Sequence, residues 1–332
     1  MLHPNVVLFD VRMGCSRGSH KGIPSGSGSR NASLITGRAR DQSTVTPDHS
    51  ISLDIPFIMS KPSANRQAET PSLTRKIPMR EITPDYIADH IRRVLKDGGS
   101  APHSEEVQHF FKEEVQSRGW YTAELRKFAV RFRRSIARER GMDFLVRVAD
   151  ELFSGQILEE KVMAVFLLEK QTKNLGDNEF QLFASWLDRV SSWADHDALV
   201  HDLLAPMVAA DPARCRQVFL WAKSPNRWRR RAACVALIRG TRERRFFTEI
   251  VRLSNRLLHD EDDMVQKGLG WLLRETAKAD PKRTVPHLVK IRKNAPRLVL
   301  RTACETLPAA TRQQVLRSPS ALSVQLRRHS AT

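Results

Sequence analysis

Residues 191–200, SSWADHDALV, place one indole and three titratable side chains within five positions, as Trp193, Asp195, His196 and Asp197. A carboxylate can stabilise a developing positive charge, and the face of an indole attracts cations. If this segment is helical, Trp193 and Asp197 stand at i and i+4 and share one face. They form a candidate site for a reaction, although a helix cap or a surface acid is the alternative role of Asp197. Asp195 and His196 are expected to be solvated neighbours.

These acids stand in a chain that is strongly basic. Its 332 residues include 55 Lys or Arg and 37 Asp or Glu, which gives a net charge of +18 and a pI near 10.4. Residues 1–78 hold ten of the basic and five of the acidic residues, so a balance of +13 belongs to residues 79–332. Such a charge is typical of proteins that bind nucleic acid. A basic protein without a polyanionic partner is the alternative.

The cysteines and the hydropathy exclude several classes of protein. Cys15, Cys215, Cys234 and Cys304 form no CxxC pair, and the last three lie in apolar runs, so buried thiols are expected rather than a disulfide framework or a zinc site. No metal or other cofactor is predicted, and EDDM at residues 261–264 is interpreted as a helix start. Since no apolar run approaches the ~18 residues of a membrane span, we expect a soluble cytoplasmic protein of bacterial type, associated with the nucleoid when bound to DNA.

The chain divides by composition into three parts. Residues 1–78 are rich in Gly, Ser and Pro and lack sustained periodicity, so they are predicted to be a disordered tail. A wrongly assigned start site or a targeting peptide would give the same pattern. Residues 79–318 form the predicted helical domain, and residues 319–332 form a C-terminal tail.

Helical periodicity runs through almost the whole sequence after Thr83, a plausible N-cap followed by Pro84. The stretch TAELRKFAVRFRRSIARER, for example, carries Leu125, Phe128, Phe132 and Ile136 at spacings of three and four. No stretch shows the alternation of a strand. The fold class is therefore predicted to be all-α.

Internal similarity indicates how the helices are arranged. RRRAACVAL, VQKGLGWLL and VLRTACETL superpose with Arg231, Lys267 and Arg301 in one column, at intervals of 36 and 34 residues, and Lys161 falls in the same column two repeats earlier. This period predicts an α-solenoid of stacked HEAT-like helical hairpins with a basic concave groove. We call Lys161, Arg231, Lys267 and Arg301 the basic column and expect them to contact phosphates.

The basic column is interrupted where its missing member would stand, at position 196. The sequence there has His196 followed by Asp197. A carboxylate in a row of phosphate contacts would weaken simple binding. Together with Trp193 and with Trp271, which follows Lys267 at i+4, it favours a reaction over binding alone.

SSWADHDALV, SPNRWRRRAA and DMVQKGLGWLLRE resemble the AlkD-type DNA glycosylases of the DNA alkylation repair family. The resemblance spans roughly residues 120–310 and is strongest over residues 190–280, whereas the helices before residue 150 match only loosely. It implies a helical solenoid that cradles duplex DNA and releases N3- or N7-alkylated purines by cleaving the N-glycosidic bond. It also implies that the damaged base is not flipped into a pocket.

Matched motif to motif, the resemblance puts the catalytic carboxylate of the family on Asp197. The sugar-contacting indoles fall on Trp193 and Trp271, and the phosphate-contacting arginine falls on Arg231. Trp186, Trp221 and Trp228 are assigned to packing.

The leading hypothesis is a metal-independent alkylpurine DNA glycosylase that acts on duplex DNA as a monomer, with no cofactor and no membrane association. A purine alkylated at N3 or N7 is cationic and leaves readily, so Asp197 has to stabilise an oxocarbenium-like sugar. The alternative is a non-catalytic HEAT-like protein that binds damaged or branched DNA. A protein-binding solenoid is a third interpretation, which the basic column disfavours unless the partner is acidic.

Overall fold

The computed structural model describes residues 82–317. Residues 1–78 and the tail of residues 319–332, with Cys15, lie outside the described residues. The division of the chain into these segments therefore stays a prediction.

Within residues 82–317 every regular element is a helix and no strand is present, which confirms the predicted all-α class. The α-helices, numbered in chain order, are α1 (Pro84–Asp97), α2 (Ala101–Gln108), α3 (Thr122–Arg140), α4 (Met142–Phe153), α5 (Leu158–Leu168), α6 (Asp177–Trp186), α7 (Trp193–Leu199), α8 (Ala205–Ala210), α9 (Cys215–Trp221), α10 (Arg227–Val235), α11 (Ile238–Thr241), α12 (Phe247–Leu257), α13 (Asp263–Ala279), α14 (Pro281–Ile291), α15 (Arg297–Ala303) and α16 (Ala309–Leu316). A π-helical turn, Val200–Leu204, joins α7 to α8.

Equivalent helices of the repeat stack on one another. In order, α3 packs on α5, α5 on α7, α7 on α10, α10 on α13, and α13 on α15; we call these six helices the first row. The helices that lie between them in the chain form the second arm of each hairpin, as α12 and α14 do where both pack on α13. This stacking is that of an α-solenoid, as the period of about 35 residues predicted.

Two features hold the first row together: some of its helices are completely buried, and others approach a neighbouring helix closely. Every residue of α5 is buried, because α3, α4 and α7 all pack against it. At Gly270 of α13, an added Cβ would lie 2.6 Å from Cβ of Thr302 in α15, so only glycine permits this separation. The small residues of the repeat therefore set the spacing between helices.

The ends of the helices that carry the candidate site follow ordinary capping rules. Asp262 is the N-cap of α13 and accepts hydrogen bonds from the backbone N–H groups of Met264 and Val265, as predicted for EDDM. Ser192 and Asp195 form a capping box at the start of α7.

Two further expectations concern the interior. Cys215, Cys234 and Cys304 are buried and unpaired, as predicted, and burial raises the pKa of the Cys234 thiol to about 12. Between residues 82 and 317, no helix is both long enough and apolar enough to cross a lipid bilayer.

Candidate active site

The segment that contains the candidate carboxylate is a buried helix. All seven residues of α7 are buried, and Asp195 and His196 have no exposed surface at all. The expectation that these two side chains are solvated is therefore wrong. Helix α7 lies between α5 and α10 in the first row, and both neighbours supply partners for its polar groups.

Asp195 organises the start of α7. Its carboxylate accepts hydrogen bonds from the backbone N–H groups of Ser191 and Ser192, at 2.9 and 2.7 Å, and from both serine hydroxyls. Lys161 of α5 lies 3.4 Å from the same carboxylate. This network fixes the first turn of α7 and so sets the position of Asp197 two residues later.

Asp197 is held by an arginine from the next helix of the row. Nε of Arg231 donates to Oδ1 of Asp197 at 3.0 Å, and Nη2 donates to Oδ2 at 2.7 Å. The side chain of Asp197 is only 12% exposed, and that of Arg231 is 7% exposed. A two-point contact of this kind fixes the plane of the carboxylate as well as its charge.

The contacts of Asp197 determine its protonation. Burial by itself raises the pKa of Asp197, but the charge of Arg231 and hydrogen bonds from His196 and Arg231 outweigh burial, and the pKa lies well below its usual range. Asp197 is therefore an anion at any physiological pH. Because an effective general base has a pKa near the working pH, the site favours electrostatic stabilisation of a cation over proton abstraction.

His196 lies beneath this carboxylate. Its Nδ1 is 2.7 Å from Oδ1 of Asp197, and its Nε2 is 3.0 Å from the backbone carbonyl oxygen of Trp228 in α10. Burial lowers the pKa of His196, and the charge of Arg231 lowers it further, against the opposite effects of Asp197 and the Trp228 carbonyl. A neutral imidazole has one N–H, and a hydrogen bond from Nδ1 to Oδ1 contributes to the lowered pKa of Asp197. His196 thus supports Asp197 from the protein side.

Arg231 is placed differently from the expectation. It is expected to contact phosphate, but it is only 6% exposed and uses three N–H donors inside the protein, two on Asp197 and one on the carbonyl oxygen of Met264. Gly268 of α13 explains the burial, because an added Cβ there would lie 3.1 Å from Cγ of Arg231. The close packing of α10 on α13 draws the arginine into the helix interface.

The basic column as a whole is not a row of exposed cations, and this expectation needs correction. Lys161 has a 2% exposed side chain, pairs with Asp195 and donates to Oγ of Ser191 at 2.9 Å, so it cannot reach a phosphate in this structure. Lys267 is half-buried and lies 3.2 Å from Asp263. Arg301 is exposed, and it has no ion pair within residues 82–317.

The two candidate indoles stand on different helices, Trp193 on α7 and Trp271 on α13. Trp193 lies one turn before Asp197 on the same helix, as predicted, and its ring stacks on Phe111 with centroids 5.1 Å apart. Trp271 of α13 stacks on His201, whose centroid is 6.3 Å away and which follows Asp197 by four residues. The structure thus brings Trp193, Asp197, Arg231 and the helix carrying Trp271 into one region.

The segment between α2 and α3 also contributes to this region. Phe111 covers the ring of Trp193, Lys112 lies 3.1 Å from Asp263, and Glu113 lies 3.7 Å from Arg227. Sequence reasoning missed Phe111, because a residue outside a periodic stretch gives no signal of the surface it packs on. It also missed His201, whose ring stacks on Trp271.

Of the three tryptophans assigned to packing, two are fully buried and one lies beside the site. Trp186 and Trp221 are 0% and 1% exposed. Trp228 is half-buried, and its ring centroid lies 5.4 Å from that of His196, so it also borders the site. Among the described residues, no group of three or more His, Cys, Asp or Glu side chains could hold a metal ion.

Comparison with known proteins gives the family of the chain. A solved structure described as a predicted DNA alkylation repair enzyme from Enterococcus faecalis shares the fold with a TM-score of 0.58 at 16% identity, over 64% of this chain and 97% of that chain. A search of curated proteins found no match. The model of the DNA alkylation repair enzyme family matches residues 91–307, which is more than half of the sequence. The chain therefore belongs to the DNA alkylation repair enzyme family.

Proposed function

We propose that this protein is a DNA glycosylase that excises N3- or N7-alkylated purines from duplex DNA. One observation carries the proposal: Asp197, buried and kept ionised by Arg231, stands one turn from Trp193 on a helix of the first row. Membership of the DNA alkylation repair family implies DNA as the substrate. Hydrolysis of the N-glycosidic bond is the reaction that this carboxylate fits best.

Cleavage of the N-glycosidic bond requires mainly a negative charge that stabilises the sugar cation. When the bond between C1′ and the purine nitrogen breaks, its electron pair goes to the purine and neutralises the cationic ring. The positive charge then lies on the sugar as an oxocarbenium-like species, which a nearby carboxylate stabilises. Water adds at C1′ and loses a proton. Because the pKa of Asp197 is lowered, we assign it to stabilising the sugar cation rather than to deprotonating water.

The indoles are assigned to the sugar. Trp193 precedes Asp197 by one turn of α7, and Trp271 of α13 stacks on His201, which follows Asp197 by four residues. The face of an indole attracts a cation with about 0.5 to 2 kcal/mol. Arg301 and Lys267 remain proposed phosphate contacts, and we propose no metal or cofactor. The protein is proposed to act on duplex DNA as a monomer.

One observation favours a second candidate, a non-catalytic protein that binds damaged or branched DNA. Both oxygens of Asp197 are engaged by Arg231, and the side chain is only 12% exposed. In this second function, the Asp197–Arg231 pair would serve the fold alone.

The test is incubation of the full chain with methylated duplex DNA, followed by chromatography of the released bases. A glycosylase releases 7-methylguanine or 3-methyladenine in proportion to enzyme and time, and releases nothing from the unmethylated duplex. Tight binding to the same DNA without release of any base would reject the glycosylase and support the binding protein.

A further inference from the structure

Helix α3 separates its basic residues into two groups. The group on the side of α5 is bound within the protein: Arg126 pairs with Glu169 and lies 3.7 Å from Asp202, and Nη1 of Arg133 donates to the backbone carbonyls of Phe166 and Glu169. These arginines fasten α3 to the C-terminal end of α5. Their charges are satisfied by the fold.

The second group has no such partners. Lys127, Arg131, Arg134 and Arg138, which we call the α3 stripe, are all exposed and follow one another at spacings of four, three and four residues. Residues at these spacings share one helix face, and it is the face opposite the buried side of α3. Within residues 82–317, Lys127, Arg131 and Arg134 make no ion pair or side-chain hydrogen bond, and Arg138 reaches only its neighbour Glu139, at 3.6 Å.

A row of like charges on one helix face is unfavourable by itself, since i, i+4 repulsion destabilises a helix. An external polyanion would remove that cost. The α3 stripe spans eleven residue steps, about 16 Å at 1.5 Å per residue. A DNA strand carries one phosphate per about 3.4 Å of duplex axis, so the stripe is as long as about five phosphates of one strand.

The position of α3 relates the stripe to the candidate active site. Helix α3 packs on α5, and α5 packs on α7, which carries Asp197, so all three belong to the first row. Contacts to the phosphate backbone on either side of the alkylated base keep the duplex aligned with the site. We propose that the α3 stripe binds the phosphate backbone of duplex DNA flanking the site. This inference rests on the proposed function only for the identity of the ligand.

The test compares two triple variants that lose the same charge. Lys127→Gln, Arg131→Gln and Arg134→Gln together remove three members of the α3 stripe. Arg256→Gln, Lys282→Gln and Lys290→Gln together remove three exposed cations of α12 and α14, outside the first row. Binding of the full chain to an undamaged 30-base-pair duplex is followed by fluorescence anisotropy over a series of salt concentrations.

Each lost phosphate contact lowers the slope of log affinity against log salt by about 0.9. The stripe variant is therefore expected to lose about 2 to 3 units of slope and to bind about tenfold or more weaker at low salt. The control variant should change the slope by less than about one unit. Since its three residues lie outside the first row, the control variant should also release 7-methylguanine at the parent rate.

The possible results separate the two proposals. Equal slopes for the two triple variants would overturn the role of the α3 stripe and leave DNA binding by the parent intact. A parent that shows no salt-dependent binding to duplex DNA would overturn both proposals. If a melting curve shows that the stripe triple variant is unfolded, Arg131→Gln and Arg134→Gln are measured singly, each with an expected loss of about one unit of slope.

Discussion

The substitution Asp197→Asn tests the central residue of the candidate site with the smallest change of shape. In the parent, Nε and Nη2 of Arg231 donate to separate oxygens of Asp197, at 3.0 and 2.7 Å. An amide keeps one acceptor oxygen and turns an NH2 group towards the other donors. One of the two bonds from Arg231 is therefore lost, and a buried guanidinium remains without its counter-charge.

The burial of Asp197 determines both the loss of stability and the loss of activity in this variant. Removing one partner of a buried ion pair costs about 3 to 5 kcal/mol, and since Asn keeps one hydrogen bond we expect a loss near 3 kcal/mol in the free energy of unfolding. Base release should slow by about 10²- to 10³-fold, the scale of losing one well-placed electrostatic group. Binding to undamaged DNA should hold or tighten, because a negative charge has been removed.

The chain offers a matched control in Asp188→Asn. Asp188 makes the same two-point contact with Arg229, at 2.7 and 2.6 Å, but its side chain is 56% exposed. An exposed pair contributes at most about 1 kcal/mol, so this variant should melt close to the parent and release bases at the parent rate. The comparison separates the effect of a buried charge from that of an Asp-to-Asn change as such.

The assay is single-turnover release of 7-methylguanine at saturating enzyme, measured well below the melting temperature of each variant. Urea unfolding of the same samples gives the change in stability. An Asp197→Asn variant that releases bases as fast as the parent would refute the catalytic role. A variant as stable as Asp188→Asn would refute the claim that the Asp197–Arg231 pair supports the fold.

Four other predictions concern Gly268, Lys161, Arg301 and His196. Gly268→Ala gains about 1 kcal/mol of helix propensity, but the added Cβ presses on the side chain of Arg231, which three hydrogen bonds hold in place. Base release should therefore slow, and a more stable variant that releases bases at the parent rate would contradict this. Lys161→Met should destabilise the protein by about 3 to 5 kcal/mol and leave the salt slope of DNA binding unchanged, whereas Arg301→Gln should lower that slope by about 0.9 with little effect on melting. Because burial lowers the pKa of His196 in the folded protein, the unfolded chain takes up a proton first as pH falls below about 6.5, and the free energy of unfolding decreases. His196→Gln should therefore lose stability less steeply than the parent between pH 7 and 5. If urea unfolding shows the same dependence of stability on pH for both proteins, the lowered pKa of His196 is refuted.

Much of the fold was accessible from local pattern. The helical class, the stacking period and the shared face of Trp193 and Asp197 depend on spacing along one segment, and spacing is visible in a sequence. The burial of the basic column could not be predicted in this way, because the exposure of Lys161 and Arg231 depends on how closely a neighbouring helix approaches. That separation is set by residues such as Gly268, at the far side of the interface.

The spacing of the repeat nevertheless indicates the two buried ion pairs. Lys161 precedes Asp195 by 34 residues and Arg231 follows Asp197 by 34 residues, and each interval is one repeat. Equivalent residues of stacked repeats are neighbours in space, so the acids of α7 stand between the cations of the helices on either side. The contact of Phe111 with Trp193 had no comparable signal, since it joins a non-periodic segment to a helix more than eighty residues away.

The burial of the Asp197–Arg231 pair also limits how this protein can evolve. Loss of either residue alone leaves an uncompensated charge inside the protein and costs about 3 to 5 kcal/mol, a large part of the stability of an ordinary domain. A lineage that abandons the carboxylate is therefore expected to replace the arginine as well, by way of a destabilised intermediate or a prior stabilising change. Positions 197 and 231 should covary among descendants, and homologues without an acid at the first position should have an uncharged side chain at the second.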